Sequence, residues 1–122
     1  RGGYGGFLML GDRLFFGSTS DEMIALDKST GRLIWSKPVK AGIATQPTLI
    51  KGVIAYGESQ GSLRFLEAST GRELAHFEPG RGILSPPAVD EKRNLVYFIS
   101  NESNLYAIEA KWDRPPAIPY LR

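Results

Sequence analysis

A segment that recurs along the chain constrains the fold more than any other feature. The segment 25–35 places a Ser-Thr-Gly turn between two stretches of alternating apolar and polar residues, and residues 66–74 repeat it after 40 positions. Alternation with a period of two around a polar turn that contains glycine is typical of a β-hairpin. A repeat of this length with four short strands per unit predicts the blades of a β-propeller.

The repeat divides the 122 residues into predicted units. We expect an all-β chain of four-stranded antiparallel blades in a partial ring of about three blades. The units are a flexible lead-in (1–6), blade 1 (7–44), blade 2 (45–84), an incomplete blade 3 (85–113) and a proline-rich C-terminal tail (114–122). Because proline lacks the N–H that a β-ladder needs, the tail is not expected to form a central strand.

Three blades do not close a ring, since propellers typically have about four to eight. The sequence therefore predicts the C-terminal part of a larger propeller, with an added strand beside Asn104–Glu109. Each end blade is expected to expose an apolar face containing residues such as Phe16, Leu26, Val96 and Ile108. The remainder of the propeller, or a second copy of the chain, is the expected partner of these faces.

Eight residues mark the repeat, and we expect them to have structural roles. They are Gly17, Asp27, Thr30, Gly31 and Trp35 in the first copy, and Gly57, Thr70 and Gly71 in the second. Gly31 and Gly71 are expected to have positive φ or to lie in a tight turn that needs it. Trp35 is expected to pack between adjacent blades, with a ligand platform as the alternative. The second copy has Ala75 at the tryptophan position.

No residue set in the sequence indicates a chemistry. His76 is the one histidine, the chain has no cysteine, and the acidic residues lack the spacing of a calcium loop. We expect no catalytic, cofactor-binding or metal-binding residues and no cofactor. A net charge of +2 is too small to indicate nucleic acid, and the apolar runs are too short to span a membrane. Lys40 and Arg81, on the long connections, are possible contacts for a protein partner.

The repeat resembles the blade of the pyrroloquinoline-quinone-type (PQQ-like) propeller family. The matching segments are Phe15–Ser18, Ile24–Asp27, Thr30-Gly31 with Trp35, and Ser103–Ala110. Within this family the chain looks like the BamB-like branch, the propeller lipoproteins of bacterial β-barrel assembly. That resemblance implies a non-enzymatic scaffold in the periplasm or cell envelope, which binds a protein partner through its loops.

Two other functions are compatible with the same repeat. One is a quinoprotein dehydrogenase, whose family holds PQQ and calcium at the ring centre and often has an adjacent cysteine pair and a tryptophan floor. This chain has no cysteine and no matching tryptophan, which favours the scaffold. The other is an extracellular sensor or adhesion domain.

Overall fold

A computed structural model describes residues 3–18, 21–78, 82–83 and 85–110, and these residues form eleven strands. The strands are β1 (Gly3–Leu10), β2 (Arg13–Ser18), β3 (Glu22–Asp27), β4 (Leu33–Pro38), β5 (Thr48–Ile50), β6 (Val53–Gly57), β7 (Leu63–Glu67), β8 (Glu73–Phe77), β9 (Ala88–Asp90), β10 (Leu95–Ile99) and β11 (Leu105–Glu109). Within the described ranges, no helix has the length and apolar character needed to cross a membrane.

The strands form three antiparallel sheets in which neighbours along the chain are neighbours in the sheet. Sheet 1 contains β1 to β4, sheet 2 contains β5 to β8, and sheet 3 contains β9 to β11. Each sheet is a meander joined by short turns, as expected for propeller blades. The prediction of an all-β partial propeller is confirmed.

The first strand begins earlier than the sequence suggests. Residues 3–6, predicted as part of a flexible lead-in, belong to β1, where Gly3 pairs with Ser18 and Tyr4 with Gly17. A register shift between Tyr4 and Phe7 allows the glycine-rich segment to stay paired with β2. The glycines carry no apolar pattern, so only the presence of the β2 partner reveals this part of the strand.

The Ser-Thr-Gly turn has the same geometry in both copies. Gly31 and Gly71 have φ of 76° and 79°, the positive values expected for them. The Gly31 N–H donates to the Asp27 carbonyl at 2.8 Å, and the Gly71 N–H donates to the Glu67 carbonyl at 2.8 Å. In the first copy, the Ser29 hydroxyl and the backbone N–H groups of Thr30 and Ser29 lower the pKa of Asp27.

A bulge follows the turn in both copies and sets the position of the fourth strand. The register shifts where Leu26 pairs with Leu33 and Ala25 with Trp35, and the second copy repeats this shift at the same place. Such a bulge adds one residue to a strand and increases its local twist. Trp35 follows the bulge directly, and its side chain lies on the face of sheet 1 that packs against sheet 2.

Two apolar layers hold the three sheets together. The layer between sheets 1 and 2 includes Phe15, Ala25 and Trp35 from sheet 1 and Ile54, Tyr56 and Leu66 from sheet 2. The layer between sheets 2 and 3 includes Val53, Leu63 and Phe65 from sheet 2 and Val96 and Phe98 from sheet 3. Sheet 2 is therefore covered on both faces, and its strand β6 is buried along its whole length.

The predicted exposure of Val96 and Ile108 is wrong. Val96 is 0% exposed, and Ile108 packs against the layer between sheets 2 and 3. The repeat explains the difference, because Phe16, Leu26, Val96 and Ile108 all occupy the blade face that is turned toward the preceding blade. Sheet 2 covers that face in sheet 3. Exposed apolar residues of sheet 3 lie on its opposite face and include Ile99 and Leu105.

Candidate protein-binding face

The turns between the second and third strands lie against the connections between sheets, at one end of the molecule. This surface, here called the loop face, comprises residues 39–45, 58–62, 82–83 and 100–104. Its members are joined by backbone bridges between Ala44 and Glu58 and between Ile83 and Ser100. The first bridge connects blade 1 to blade 2, and the second connects blade 2 to blade 3.

Hydrogen bonds fasten the first connection to the turn 58–62. The Ser59 N–H donates to the Ile43 carbonyl at 2.8 Å, and the Ile43 N–H donates to Ser59 Oγ at 2.8 Å. The Gln60 N–H donates to the Ala41 carbonyl at 3.0 Å. These bonds satisfy backbone groups of both segments. They hold the first connection in one position against the turn 58–62.

The same turn is also bonded to the third blade. The Ile83 N–H donates to the Glu58 carbonyl at 2.9 Å, and Asn101 Nδ2 donates to the Ser59 carbonyl at 3.0 Å. The Asn101 N–H donates to the Gly82 carbonyl at 2.9 Å. The turn 58–62 thus lies at the centre of the loop face and contacts both neighbouring connections.

Two repeat glycines allow the connections to approach the sheets. A Cβ at Gly57 would lie 2.5 Å from the Ile83 side chain, and a Cβ at Gly17 would lie 3.0 Å from Ala44 Cβ. A Cβ atom does not approach another heavy atom this closely in real proteins, so a larger residue at Gly57 would displace Ile83. These two glycines therefore let the connections approach the loop face, at the end of the second strand of blades 1 and 2.

A buried carboxylate lies directly beneath the loop face. Glu58 is 0% exposed, and its Oε2 accepts a hydrogen bond from the Lys40 N–H at 2.9 Å. Its Oε1 accepts one from the Ser62 N–H at 3.2 Å and lies 3.3 Å from Arg64 Nε. A buried charge is tolerated when it is paired and hydrogen-bonded, and Glu58 meets both conditions.

Arg64 extends this interaction across sheet 2. Its Nη1 lies 3.1 Å from both carboxylate oxygens of Glu73, and Glu73 Oε2 lies 3.2 Å from His76 Nδ1. Burial lowers the pKa of Arg64, but the charges of Glu58 and Glu73 raise it by more. The pKa of Arg64 therefore lies above its ordinary value. The result is a row of side chains in contact, from the buried Glu58 through Arg64 and Glu73 to the half-exposed His76.

Tyr56 borders this row from the apolar layer between sheets 1 and 2. It is the direct cross-strand neighbour of Arg64, and its buried hydroxyl has no hydrogen-bond partner within the part of the chain that the structure describes. Burial and the charge of Glu58 raise its pKa, so the hydroxyl stays protonated at neutral pH. A small cavity of ≈ 210 Å³ opens beside the row, lined by Ala41, Glu58, Gln60, Gly61, Ser62, Arg64 and Glu78.

The structure places the predicted residues in different parts of the molecule. Lys40 is exposed on the loop face, and Arg81 lies outside the described residues. Asp27, Thr30 and Gly31 form the turn of blade 1 at the opposite end of its sheet, and Thr70 and Gly71 form the same turn in blade 2.

Trp35 is a packing residue in this structure. It is 8% exposed, its Nε1 donates to the Ala68 carbonyl at 2.9 Å, and its ring centroid lies 6.0 Å from that of Phe15. The second copy has Ala75 here, and an aromatic group of Phe77, Phe98 and Tyr106 packs between sheets 2 and 3 instead. This difference between the copies could not be predicted from the sequence, because the three aromatic residues come from three separate strands.

Sequence reasoning also missed the row from Glu58 to His76. The one available signal is in the repeat, where Ser18 and Ser100 occupy the positions that correspond to Glu58. A replacement of serine by glutamate within one copy does not show whether the carboxylate is buried. The partners Arg64 and Glu73 become neighbours only through the register of β6, β7 and β8.

The described residues do not fit a quinone and metal site. Within ranges 3–18, 21–78, 82–83 and 85–110, no three His, Cys, Asp or Glu side chains are placed to hold a metal ion. Trp35 cannot serve as a quinone floor, because its ring is covered by Gly71, where a Cβ would lie 2.6 Å away.

Comparison with known proteins shows two groups of relatives. The chain is 30% identical over 103 residues to the outer membrane protein assembly factor BamB of Legionella pneumophila, covering 84% of this chain and 26% of that protein. It is 36% identical over 79 residues to the quinoprotein alcohol dehydrogenase PedE of Pseudomonas putida, covering 61% of this chain and 12% of that protein. The chain thus spans about a quarter or less of these relatives.

The chain also matches a solved structure and a family profile. The quinohemoprotein alcohol dehydrogenase ADHIIG of Pseudomonas putida HK5 superposes with a TM-score of 0.72 at 16% identity, covering 90% of this chain and 25% of that one. At this identity the match shows the fold alone. The profile of the family described as outer membrane protein assembly factor BamB matches residues 2–79, well over half of the chain. The chain therefore belongs to the BamB family of PQQ-like propeller proteins.

Proposed function

We propose that this chain is part of a non-enzymatic propeller of the bacterial cell envelope, which binds a protein partner during outer-membrane β-barrel assembly. The observation that carries the proposal is the loop face, where hydrogen bonds join two connections and two turns from three blades into one surface. Membership in the BamB family supports the assembly role. Loops held on a rigid scaffold are a common location for binding residues.

The exposed residues of the loop face suit a protein partner. Ile43 is 44% exposed, and its backbone is fixed by two hydrogen bonds to Ser59. Exposed Lys40 and Gln60 flank it with polar groups. An apolar side chain held in place and surrounded by polar residues is the usual arrangement at the centre of a protein interface.

A second surface of the chain is proposed to be covered by a further blade of the same propeller. Four residues on the outer face of sheet 1, namely Met9, Leu14, Phe16 and Leu26, occupy the repeat positions of Leu49, Ile54, Tyr56 and Leu66. In sheet 2 those positions pack against sheet 1. The outer face of sheet 1 therefore repeats an apolar docking face, and Met9 on it is 52% exposed.

Paired substitutions of exposed residues test the binding role of the loop face. Ile43→Asp places a negative charge on the loop face, whereas Lys28→Asp places one in the exposed turn at the opposite end of sheet 1. We expect Ile43→Asp to reduce recovery of the membrane-embedded component of the β-barrel assembly machinery about tenfold or more, as for a residue at an interface centre. Recovery with the full-length protein from bacterial envelopes is the measurement.

The Lys28→Asp variant should recover the component as well as the parent protein does. Equal recovery with both variants would contradict the assignment of the loop face. Failure of the parent protein to recover any component of that machinery would contradict the assembly role itself. Circular dichroism of both variants must match the parent, so that a loss of binding is not a loss of fold.

Quinoprotein dehydrogenase activity is the second candidate, because PedE is 36% identical over the matched residues. The described residues lack a metal-holding group, and Trp35 is closed within the blade interface. We expect no dye-linked oxidation of alcohols or sugars above background when PQQ and calcium are added to the full-length protein. Dye reduction that depends on both additions would establish the dehydrogenase and overturn the scaffold.

A further inference from the structure

Glu58 reaches further than Ser100, its counterpart in the third copy of the repeat. In the third copy, Ser100 Oγ accepts hydrogen bonds from the N–H groups of Glu102 and Asn104, both within its own turn. Glu58 accepts the equivalent bond from Ser62, four residues ahead, just as Asn104 lies four residues after Ser100. Its second oxygen extends further and accepts from the Lys40 N–H, in the connection that arrives from blade 1.

We propose that Glu58 is the positioning residue of the loop face, and that its buried carboxylate holds the connection at Lys40 over the turn 58–62 so that a partner meets a preformed surface. This inference rests on the proposed binding role of the loop face. A surface ordered before binding avoids the conformational entropy that would otherwise be lost in the complex.

The position of the carboxylate is itself fixed from the opposite side. Arg64 lies 3.3 Å from Glu58 Oε1, and Glu73 holds the Arg64 guanidinium with two contacts of 3.1 Å. The Glu58 side chain is 1% exposed, so water does not compete for its oxygens. Hydrogen bonds that end on a charged group in such surroundings are stronger than those between neutral groups.

The hydrogen bond from the Lys40 N–H links the buried Glu58 carboxylate to an exposed residue of the loop face. Lys40 is exposed and lies outside the strands, so its amide proton would exchange rapidly with solvent if the Glu58 carboxylate did not accept it. Lys40 is followed in the connection by Ala41 and Ile43, which are hydrogen-bonded to Gln60 and Ser59 of the turn 58–62. Loss of the first bond should therefore loosen the connection from its start.

Two variants separate the carboxylate's role from a general contribution to stability. Glu58→Ser introduces the residue that the repeat has at Ser18 and Ser100, which can bond the Ser62 N–H but is too short to reach Lys40. Glu58→Gln keeps an acceptor of the same length and removes the charge. Ser100→Ala is the matched control, since it removes the equivalent acceptor from a turn that does not contact Lys40.

The test is hydrogen–deuterium exchange of single amides, read by NMR on the folded chain, and it requires no partner. We expect Glu58→Ser to accelerate exchange of the Lys40 amide about tenfold or more, the size expected for loss of a hydrogen bond to a charged group. The Ser62 amide should change less than the Lys40 amide. Glu58→Gln should accelerate Lys40 less than Glu58→Ser, and Ser100→Ala should accelerate Asn104 but leave Lys40 unchanged.

Several results would overturn the proposal. One is exchange of the Lys40 amide at the random-coil rate in the parent chain. This result can be obtained even if Glu58→Ser does not fold. Another is unchanged Lys40 exchange in a folded Glu58→Ser variant. Equal acceleration of all amides would mean that Glu58 contributes only to global stability. If Lys40 behaves as expected but Ile43→Asp leaves partner recovery unchanged, the positioning stands and the proposed function fails.

Discussion

Replacement of Trp35 by alanine is expected to lower the free energy of unfolding by about 3–5 kcal/mol, the usual range for large aromatic residues in a core. The side chain is 8% exposed, packs between sheets 1 and 2, and donates from Nε1 to the Ala68 carbonyl at 2.9 Å. Truncation removes the buried ring and leaves that carbonyl without this donor. Urea unfolding monitored by circular dichroism measures the loss.

Phe7→Ala is the matched control for size and aromatic character. Phe7 is 58% exposed on the outer face of sheet 1, so its truncation should cost less than about 1 kcal/mol, because surface changes seldom have large effects. A loss of similar size in both variants would show that Trp35 has no special role between the blades. A loss below about 1 kcal/mol for Trp35→Ala would contradict the packing role outright, given the usual range for buried aromatics.

The two turn glycines provide a second, independent measure of the same contact. Gly31→Ala and Gly71→Ala both place a side chain at positive φ, which costs about 1–2 kcal/mol. Only Gly71 lies beneath Trp35, since a Cβ there would be 2.6 Å from the ring and a Cβ at Gly31 would meet nothing within 4 Å. Gly71→Ala should therefore be the more damaging change, and the difference should disappear when Trp35 is already alanine.

Local patterns in the sequence were sufficient to predict the blades. The Ser-Thr-Gly turns, the positive φ of Gly31 and Gly71 and the strands around them depend on residues that are close in sequence. The burial of the apolar faces was harder to predict. An alternation with a period of two distinguishes the two faces of a sheet but does not indicate which face packs against another sheet. Val96 and Phe16 occupy equivalent faces, yet one is buried by sheet 2 and the other lies on the outer side of sheet 1.

The loop face could be predicted only in part. The sequence placed Lys40 and Arg81 on connections, but it did not show that the turn 58–62 would be bonded to two of those connections. The row from Glu58 to His76 was also missed, because its members come from one turn and two strands, β7 and β8. Charged residues in a half-polar strand normally indicate a solvated face, and only the packed blades show that Glu58 is enclosed.

Removal of the charge on Arg64 is expected to produce the second large effect. Arg64→Met replaces the guanidinium by a shorter, uncharged and unbranched side chain and leaves the buried Glu58 carboxylate without its cationic partner. Loss of one member of a buried ion pair typically costs about 3–5 kcal/mol, because the remaining charge is no longer compensated. Glu58 and Arg64 side chains are 1% and 13% exposed, so solvent screens this pair only weakly. Urea unfolding of the variant and the parent gives the difference.

The ion pair between Arg93 and Asp90 supplies the matched control. Its Nη1 to Oδ2 distance is 2.8 Å, shorter than the Glu58–Arg64 contact, yet the Arg93 side chain is 74% exposed. Exposed pairs contribute about 0–1 kcal/mol, so Arg93→Met should be nearly neutral. Equal losses in the two methionine variants would show that distance, rather than burial, sets the strength of these pairs.

A double substitution distinguishes an uncompensated charge from lost packing. If Arg64→Met is damaging because Glu58 remains charged and buried, the added change Glu58→Gln should recover part of the loss, since the amide needs no cation. The Lys40 and Ser62 N–H groups bond different oxygens of Glu58, so the single amide oxygen of glutamine would accept from one of them and the other would lose its acceptor. If the double variant is instead less stable than Arg64→Met by the full effect of Glu58→Gln alone, the two side chains are not coupled, and the loss at Arg64 comes from its packing against Tyr56 and Glu73.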